Sequence, residues 1–206
     1  MEDLKFYFNK LLKTQIGPIC GLLSVIIGLT GDLIALSLFS GFNFDDNMIS
    51  WLGGEWSPGA IFFNLGIILS GILAFPLFLH INRILKEENI SPKLRKAAIV
   101  VALISCIFFT LVGVFPSLMY NSLYSDLHGI FFVISTIGGI IYTLFYSVLF
   151  LKSTSFNRFQ SYLGFGIILI FAIFLFTWIP IIEWLMTFAI ITWMTIISIY
   201  LLYKRL

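Results

Sequence analysis

Six apolar stretches, each about 20 residues long and rich in Ile, Leu, Phe and Val, follow one another along the chain. A helix needs about 20 mostly apolar residues to cross a bilayer, so each stretch is long enough to span a membrane. Only 11% of the 206 residues are charged, whereas about 25% is usual for soluble domains, so the surface as well as the core must be apolar. The sequence therefore predicts an all-α, polytopic integral membrane protein with six transmembrane helices.

The predicted transmembrane domain covers residues 16–206 and has short connections between its helices. Its spans are residues 17–39, 59–81, 97–118, 127–151, 161–179 and 184–203. The preceding segment, residues 1–15, places its apolar side chains on one helical face and its lysines elsewhere, which predicts a cytoplasmic helix lying in the membrane interface. A frayed terminal segment explains the same residues equally well.

Segments that carry basic residues alternate along the chain with connections that carry none. All 12 Lys and Arg residues lie in the N-terminal segment, the second and fourth connections and the C-terminal segment, and the other connections have none. Because basic segments are retained in the cytoplasm, this pattern predicts a cell-membrane protein with both termini cytoplasmic. The net charge of only +2, together with this sorting by side, predicts no nucleic-acid binding.

Polar side chains inside the predicted spans are candidates for function, because a charged group at mid-membrane costs about 2.5–3.5 kcal/mol and usually faces the bundle interior. Asp32 lies about 10 Å from the outer end of the first span, at 1.5 Å per residue. Asn64, His128 and Glu183 lie in the same outer third of the membrane. This shared depth favours one polar cavity, in which Asp32 accepts a hydrogen bond from Asn64 or pairs with a protonated His128. A packing role for Asp32, bonding one helix to another, is the alternative.

The first outer connection, residues 40–58, is the longest external segment and mixes acidic with apolar residues. This composition predicts a short helix along the interface, with Asp45 or Asp46 as its N-terminal cap and Gly53 and Gly54 as its stop. The segment is either a lid over an outward-facing cavity or a plain amphipathic connector. Tryptophans are expected at headgroup depth, and the predicted interface anchors are Trp51, Trp56, Trp178 and Trp184.

The sequence contains no common motif for nucleotide binding, hydrolysis or zinc binding. The two histidines lie near opposite faces of the membrane and the two cysteines lie inside apolar spans, so no metal site and no cofactor is predicted. A nucleophilic set of His128 with an outer serine and an acidic residue can be drawn, but its spacing is unspecific. The catalytic residues of any enzyme activity are therefore unknown.

Three short patterns carry a resemblance to a known family. The order Ser-x-x-Gly, then Phe-Asn, then Gly, found in the six-span prokaryotic membrane proteins of the Domain of Unknown Function 998 family, is similar to the segment ISWLGGEWSPGAIFFNLGIILSGIL. The family's Gly-x-Phe-Pro pattern followed by His resembles VGVFPSLMYNSLYSDLHGIFF, and its acidic-then-Trp pattern in the last span resembles IPIIEWLMTFAIITW. The matching positions are Ser50, Gly53, Phe63, Asn64, Gly71, Gly113, Phe115, Pro116, His128, Glu183 and Trp193. The family is distantly similar to eukaryotic DRAM-type and GPI-lipid remodelling proteins, which implies lipid handling.

Together, the residues and the resemblance predict an outward-facing polar cavity that binds or handles a lipid headgroup or a similar amphiphile. Because the outer side is acidic, a cationic or zwitterionic headgroup is expected, with membrane lipids as partners and homo-oligomerisation left open. The predicted ligand-binding residues are Asp32, Ser50, Asn64, His128 and Glu183.

Two other classes of protein fit the same residues. The first is an intramembrane lipid hydrolase or transferase, with His128 as general base and an outer carboxylate orienting it. The second is a structural or assembly subunit in which the polar residues only fix helix packing. The sequence does not decide whether the protein is an enzyme.

Overall fold

The computed structural model describes residues 14–118 and 121–206. Within these ranges the long helices are α1 Ile16–Leu38, α2 Ala60–Glu87, α3 Pro92–Val114, α4 Ser122–Lys152, α5 Arg158–Thr177 and α6 Pro180–Lys204. A short 3₁₀ helix, Ile49–Gly53, lies between α1 and α2. All six long helices are long and apolar enough to cross a membrane, which confirms the predicted all-α, six-helix membrane protein. The predicted interfacial helix, residues 1–15, lies outside the described residues except for its last two.

Helix boundaries differ from the predicted spans where charged residues continue a helix beyond its apolar run. α3 begins at Pro92, five residues before the predicted span. Arg95, in its first turn, is buried against α2, and its guanidinium donates a hydrogen bond to the Asn82 side chain at 2.9 Å. α2 continues to Glu87, and α4 begins at Ser122 rather than at residue 127. Because a helix satisfies its backbone hydrogen bonds internally, it does not have to end where the apolar run ends.

The helices form a closed ring, because each helix packs against its neighbours in the chain and α6 packs against α1. Small residues bring α1 and α2 close together. A Cβ atom on Gly31 would lie 2.6 Å from the Phe62 carbonyl oxygen and 3.1 Å from the Cα atom of Gly66. Ser24 of α1 donates a hydrogen bond to the Ser70 carbonyl of α2 at 2.8 Å. Such small-residue packing and interhelical hydrogen bonds are what hold membrane helices together.

The ring has two chemically different ends. The acidic end consists of residues 39–59, 115–118, 121 and 178–179, whose charged residues, with those in the adjoining helix starts, are all acidic. The basic end consists of residues 88–91, 153–157 and 205–206 together with the adjoining helix ends, which carry most of the Lys and Arg residues. The names acidic end and basic end refer to the charge of these residues and not to a side of the membrane.

The core consists of two clusters of unequal size. The larger cluster of buried apolar residues extends along most of the ring, from Phe174 and Met186 near the acidic end to Leu201 at the basic end. It includes the fully buried side chains of Phe78, Tyr146, Phe150 and Trp193. A smaller cluster lies at the acidic end and consists of Ala35, Ile49, Leu52, Phe63 and Trp184. Residues of both clusters line the candidate site.

Candidate functional site

A cavity of about 160 Å³ lies inside the ring and is lined by residues of all six helices and of the 3₁₀ helix. Its volume is close to that of an engineered protein cavity of about 150 Å³ that binds benzene. Most of its wall is apolar or aromatic, with small hydroxyl residues among them. It is therefore large enough for one small organic group.

Two carboxylate side chains line this cavity. Asp32 of α1 is 5% exposed and Glu183 of α6 is 1% exposed. Neither Oδ1 of Asp32 nor Oε2 of Glu183 has a hydrogen-bond partner within the described part of the chain. No Lys, Arg or His residue lines the cavity in residues 14–118 and 121–206. An unpaired charge in such a site is costly, so a group that satisfies these oxygens would be strongly favoured.

Glu183 is positioned by the first turn of α6, which begins at Pro180. Its carboxylate accepts hydrogen bonds from the hydroxyl group of Ser50 and from the backbone N–H groups of Ile49 and Ser50. Both of those residues also line the cavity. One side of the Glu183 carboxylate therefore joins α6 to the 3₁₀ helix, while Oε2 remains without a partner.

Residues 39–59 form a lid that is fastened to α2 and α6. The Asn64 side chain of α2 donates a hydrogen bond from Nδ2 to the Gly53 carbonyl at 2.9 Å. Gly53 has to be a glycine at this contact, because a Cβ atom would lie 2.5 Å from Asn64 Oδ1. The Trp184 ring packs against Phe42 and Phe44 with ring-centroid distances of 5.7 and 4.9 Å. These contacts place Ile49 and Ser50 over the acidic end of the cavity.

The predicted N-terminal cap of the lid helix is wrong. Met48 occupies the N-cap position of the 3₁₀ helix, and no side chain caps it. Asp46 instead accepts a hydrogen bond from Asn43 Nδ2 at 2.7 Å, and the Asp45 backbone N–H donates to Asn43 Oδ1. Asp45 and Asp46 thus belong to a local turn. The predicted stop is confirmed, since the helix ends at Gly53 and Gly54 is its C-cap.

Asn64 and His128 do not line the cavity with Asp32. Asn64 donates to the lid, as described above, and the described residues contain no hydrogen bond from it to Asp32. His128 Nδ1 lies 2.9 Å from the Phe115 carbonyl and 3.3 Å from the Val112 carbonyl, so this nitrogen carries the proton and donates. The predicted pairings of Asp32 with Asn64 or His128 are therefore wrong.

Proline explains the position of His128. In a helix the Val112 carbonyl would accept from the backbone nitrogen of residue 116, but Pro116 has no N–H group. The carbonyl groups at the end of α3 need another donor, and His128 of α4 supplies it. Within the described residues no carboxylate is paired with His128, so the set needed for a histidine base oriented by an acid is absent from that part of the chain.

The predicted tryptophan anchors divide into two groups. Trp51 and Trp178 are exposed on the surface of the ring, and Trp56 packs edge-on against Trp51. The prediction is wrong for Trp184, which is 4% exposed and lies in the core at the acidic end. Its indole Nε1 points to the Asn47 carbonyl at 3.4 Å, so the ring holds the lid rather than facing lipid.

Aromatic lining is the feature that sequence reasoning missed. The aromatic residues on the cavity wall are Phe63, Phe78, Phe109, Phe132, Tyr142 and Phe171. The chain has 23 Phe residues distributed over all of its spans, so nothing in the sequence distinguishes those that face inward. Among the described residues, no group of three or more His, Cys, Asp and Glu side chains is placed to hold a metal ion.

Comparison with known proteins gives a family but no characterised relative. The family model for a Protein of unknown function (DUF998) matches residues 20–200. No curated protein and no solved structure matches the chain. The matched segment contains Asp32, Glu183, the lid and every other residue that lines the cavity. Because the match extends over nearly the whole chain, the protein belongs to the DUF998 family of proteins of unknown function.

Proposed function

We propose that the protein binds a membrane amphiphile and takes its cationic or zwitterionic headgroup into the cavity beside Asp32 and Glu183. The observation that carries this proposal is the pair of buried carboxylates on a mostly apolar wall, each with an oxygen that lacks a partner in the described residues. A buried charge is retained in membrane proteins where it has a functional partner. A cationic headgroup supplies that partner.

The shape of the cavity supports an amphiphile rather than a free ion. Its lining on α6 runs from Glu183 to Met194, which is about 16 Å along the axis at 1.5 Å per residue. The carboxylates lie at the end covered by the lid, and the rest of the wall is mostly apolar and aromatic, with Ser and Thr residues among the apolar ones. A charged head beside the lid and an alkyl group deeper in the ring match this division. At about 160 Å³ the cavity holds only part of a lipid, and the rest of the molecule extends beyond it.

We also propose that the protein lies in the cell membrane with its acidic end outside and both termini in the cytoplasm. The support is the distribution of the basic residues, which avoid the acidic end entirely. Reporter fusions to the C-terminus test this orientation. A fluorescent protein that matures only in the cytoplasm should be bright there, and a periplasmic phosphatase fused at the same point should be inactive. The reverse pattern contradicts the proposal.

Mass spectrometry of lipids that co-purify with the protein tests the binding proposal. We expect the wild-type protein to enrich lipids with a positively charged or zwitterionic headgroup relative to the membrane extract, and we expect Asp32→Asn to abolish that enrichment. The matched control is Asp126→Asn, which removes an exposed carboxylate at the same end of the ring and away from the cavity. A lipid profile equal to the bulk extract, unchanged by Asp32→Asn, contradicts the proposal.

A further inference from the structure

We infer that the group recognised in the cavity is an organic ammonium that carries no phosphate, with Asp32 as its counter-ion and the aromatic wall as its cage. This inference rests on the proposed function, because it specifies which headgroup the cavity accepts. It excludes phosphocholine-type and other phosphate-bearing heads from the cavity itself.

The two carboxylates have different tasks. Glu183 uses hydrogen bonds from Ser50 and Ile49 to hold the lid, so part of its charge is already satisfied. Asp32 has an oxygen with no partner among the described residues and has no lid contact of this kind. A cation entering the cavity therefore gains most by approaching Asp32. Glu183 closes the site above it and offers its free Oε2 as a second acceptor.

The cavity offers acceptors and few donors. Ser105 donates its hydroxyl proton to the Ser135 carbonyl at 2.8 Å, and Ser135 and Thr136 both donate to the Phe132 carbonyl at 2.9 and 2.8 Å. Near the other wall, Ser24 is bonded to the Ser70 carbonyl. Because these protons are directed into the protein, these four hydroxyl groups present lone pairs rather than protons to a ligand. A phosphate needs donors or basic residues, and no basic residue lines the cavity in the described part of the chain.

The aromatic wall favours an ammonium. Phe63, Phe109, Phe132 and Phe171, with Phe78 and Tyr142, surround the same space as the carboxylates. The faces of aromatic rings attract cations, and cages of such rings are a common means of binding quaternary ammonium groups. The volume of about 160 Å³ suits a group about the size of benzene, which a trimethylammonium head with the start of its alkyl chain matches.

A binding assay with amphiphiles of one chain length tests this inference. The purified full-length protein is kept in dodecyl maltoside micelles, so the neutral amphiphile is present in excess, and radiolabelled dodecyltrimethylammonium is the probe. We expect saturable binding that unlabelled dodecyltrimethylammonium displaces at a concentration about tenfold or more below that of dodecylphosphocholine. Asp32→Asn should weaken probe binding about tenfold or more, Glu183→Gln should weaken it less, and Asp126→Asn should leave it unchanged.

The outcomes separate this inference from the proposed function. Displacement by dodecylphosphocholine at equal or lower concentration overturns the exclusion of phosphate, and undiminished probe binding by Asp32→Asn overturns the counter-ion role. If the probe does not bind while lipid enrichment still depends on Asp32, the ammonium inference fails and the proposed function stands. If neither probe binding nor lipid enrichment depends on Asp32, both proposals fail.

The folded state of each variant is checked by its elution from a size-exclusion column. A second variant, Asp32→Glu, should retain probe binding.

Discussion

Carboxylates at the two ends of the ring differ in how their oxygens are satisfied. At the basic end, Glu88 follows α2 and accepts hydrogen bonds from Ser153, Thr154 and Ser155, with donor–acceptor distances of 2.5–2.8 Å. At the acidic end, Asp32 and Glu183 are more deeply buried, yet each keeps an oxygen without a partner among the described residues. Glu88 is thus the less buried carboxylate, and both of its oxygens accept hydrogen bonds from the protein.

Packing differs in the same direction. The rings of Phe150 and Phe156 stack at the basic end with centroids 4.1 Å apart, and Trp193 is completely buried beside Phe150. The acidic end has a smaller core, a lid and a cavity. We infer that the basic end and the middle of the ring supply most of the stability, whereas the acidic end gives up packing to keep a binding site open. This division of tasks can be tested by substitution.

The largest effect is expected from Trp193→Ala in the larger core cluster. The indole is fully buried, and its Nε1 donates to the Gln160 carbonyl at 3.2 Å. Removing a buried aromatic side chain and leaving a cavity costs about 3–5 kcal/mol. The melting temperature in detergent, followed by size-exclusion elution after heating, should fall sharply. The control Phe176→Ala removes a side chain that is 90% exposed, and it should change the melting temperature little. Equal losses from the two variants would mean that the core does not supply the stability.

Much of the fold could be predicted from the sequence, because length and hydropathy are one-dimensional properties. Each apolar run became a helix, and the deviations arose where polar residues such as Arg95 found partners inside the ring. Pro116 did not by itself predict where His128 lies. The structure shows the connection, because His128 donates to the Val112 carbonyl that lacks a partner N–H group at Pro116.

The site was harder to predict, because depth in the membrane does not fix rotation about a helix or the path of a connection. Asp32 and Glu183, chosen by depth, line one cavity. Asn64 was chosen by the same criterion, and it bonds to the lid instead. Trp184 looked like an interface anchor, but the lid folds back over it, and this long-range contact leaves no local pattern in the sequence.

A smaller effect, of opposite sign, is expected at Asp32. The Oδ1 atom of this buried carboxylate has no partner among the described residues, so replacing the group by a neutral isostere removes a desolvation penalty. Asp32→Asn should therefore leave the melting temperature unchanged or raise stability by up to about 2 kcal/mol. Ser24→Ala is a useful comparison, because it removes a hydroxyl group that is hydrogen-bonded to Ser70 and should lower stability by about 1 kcal/mol. A drop for Asp32→Asn as large as that for Ser24→Ala would identify Asp32 as a packing residue and favour a structural subunit.

The smallest effect is expected at Glu88. Burial raises the pKa of its carboxyl group, but the hydrogen bonds from Ser153, Ser155 and Thr154 outweigh burial and lower the pKa below the ordinary value of a glutamate. The unfolded chain therefore binds a proton more readily than the folded protein does. This contribution to stability is complete above about pH 5, and it is lost as the pH falls through the lowered pKa, below about pH 4. Its size is about 1 kcal/mol or less, because the group is only half-buried.

Melting temperatures measured between about pH 3 and pH 7 test this contribution. Glu88→Gln should melt slightly below the wild type at neutral pH and approach it in acid, because the wild type then also has a neutral side chain at this position. The neighbouring Glu87 is the matched control, since it is 58% exposed and its one ion pair among the described residues is with Arg83 in the preceding turn, at 3.4 Å. Glu87→Gln should therefore follow the wild-type curve at every pH. If Glu88→Gln follows it as well, the hydrogen bonds at the basic end stabilise nothing. The contrast with Asp32 and Glu183, each of which keeps one oxygen without a partner among the described residues, then has no energetic meaning.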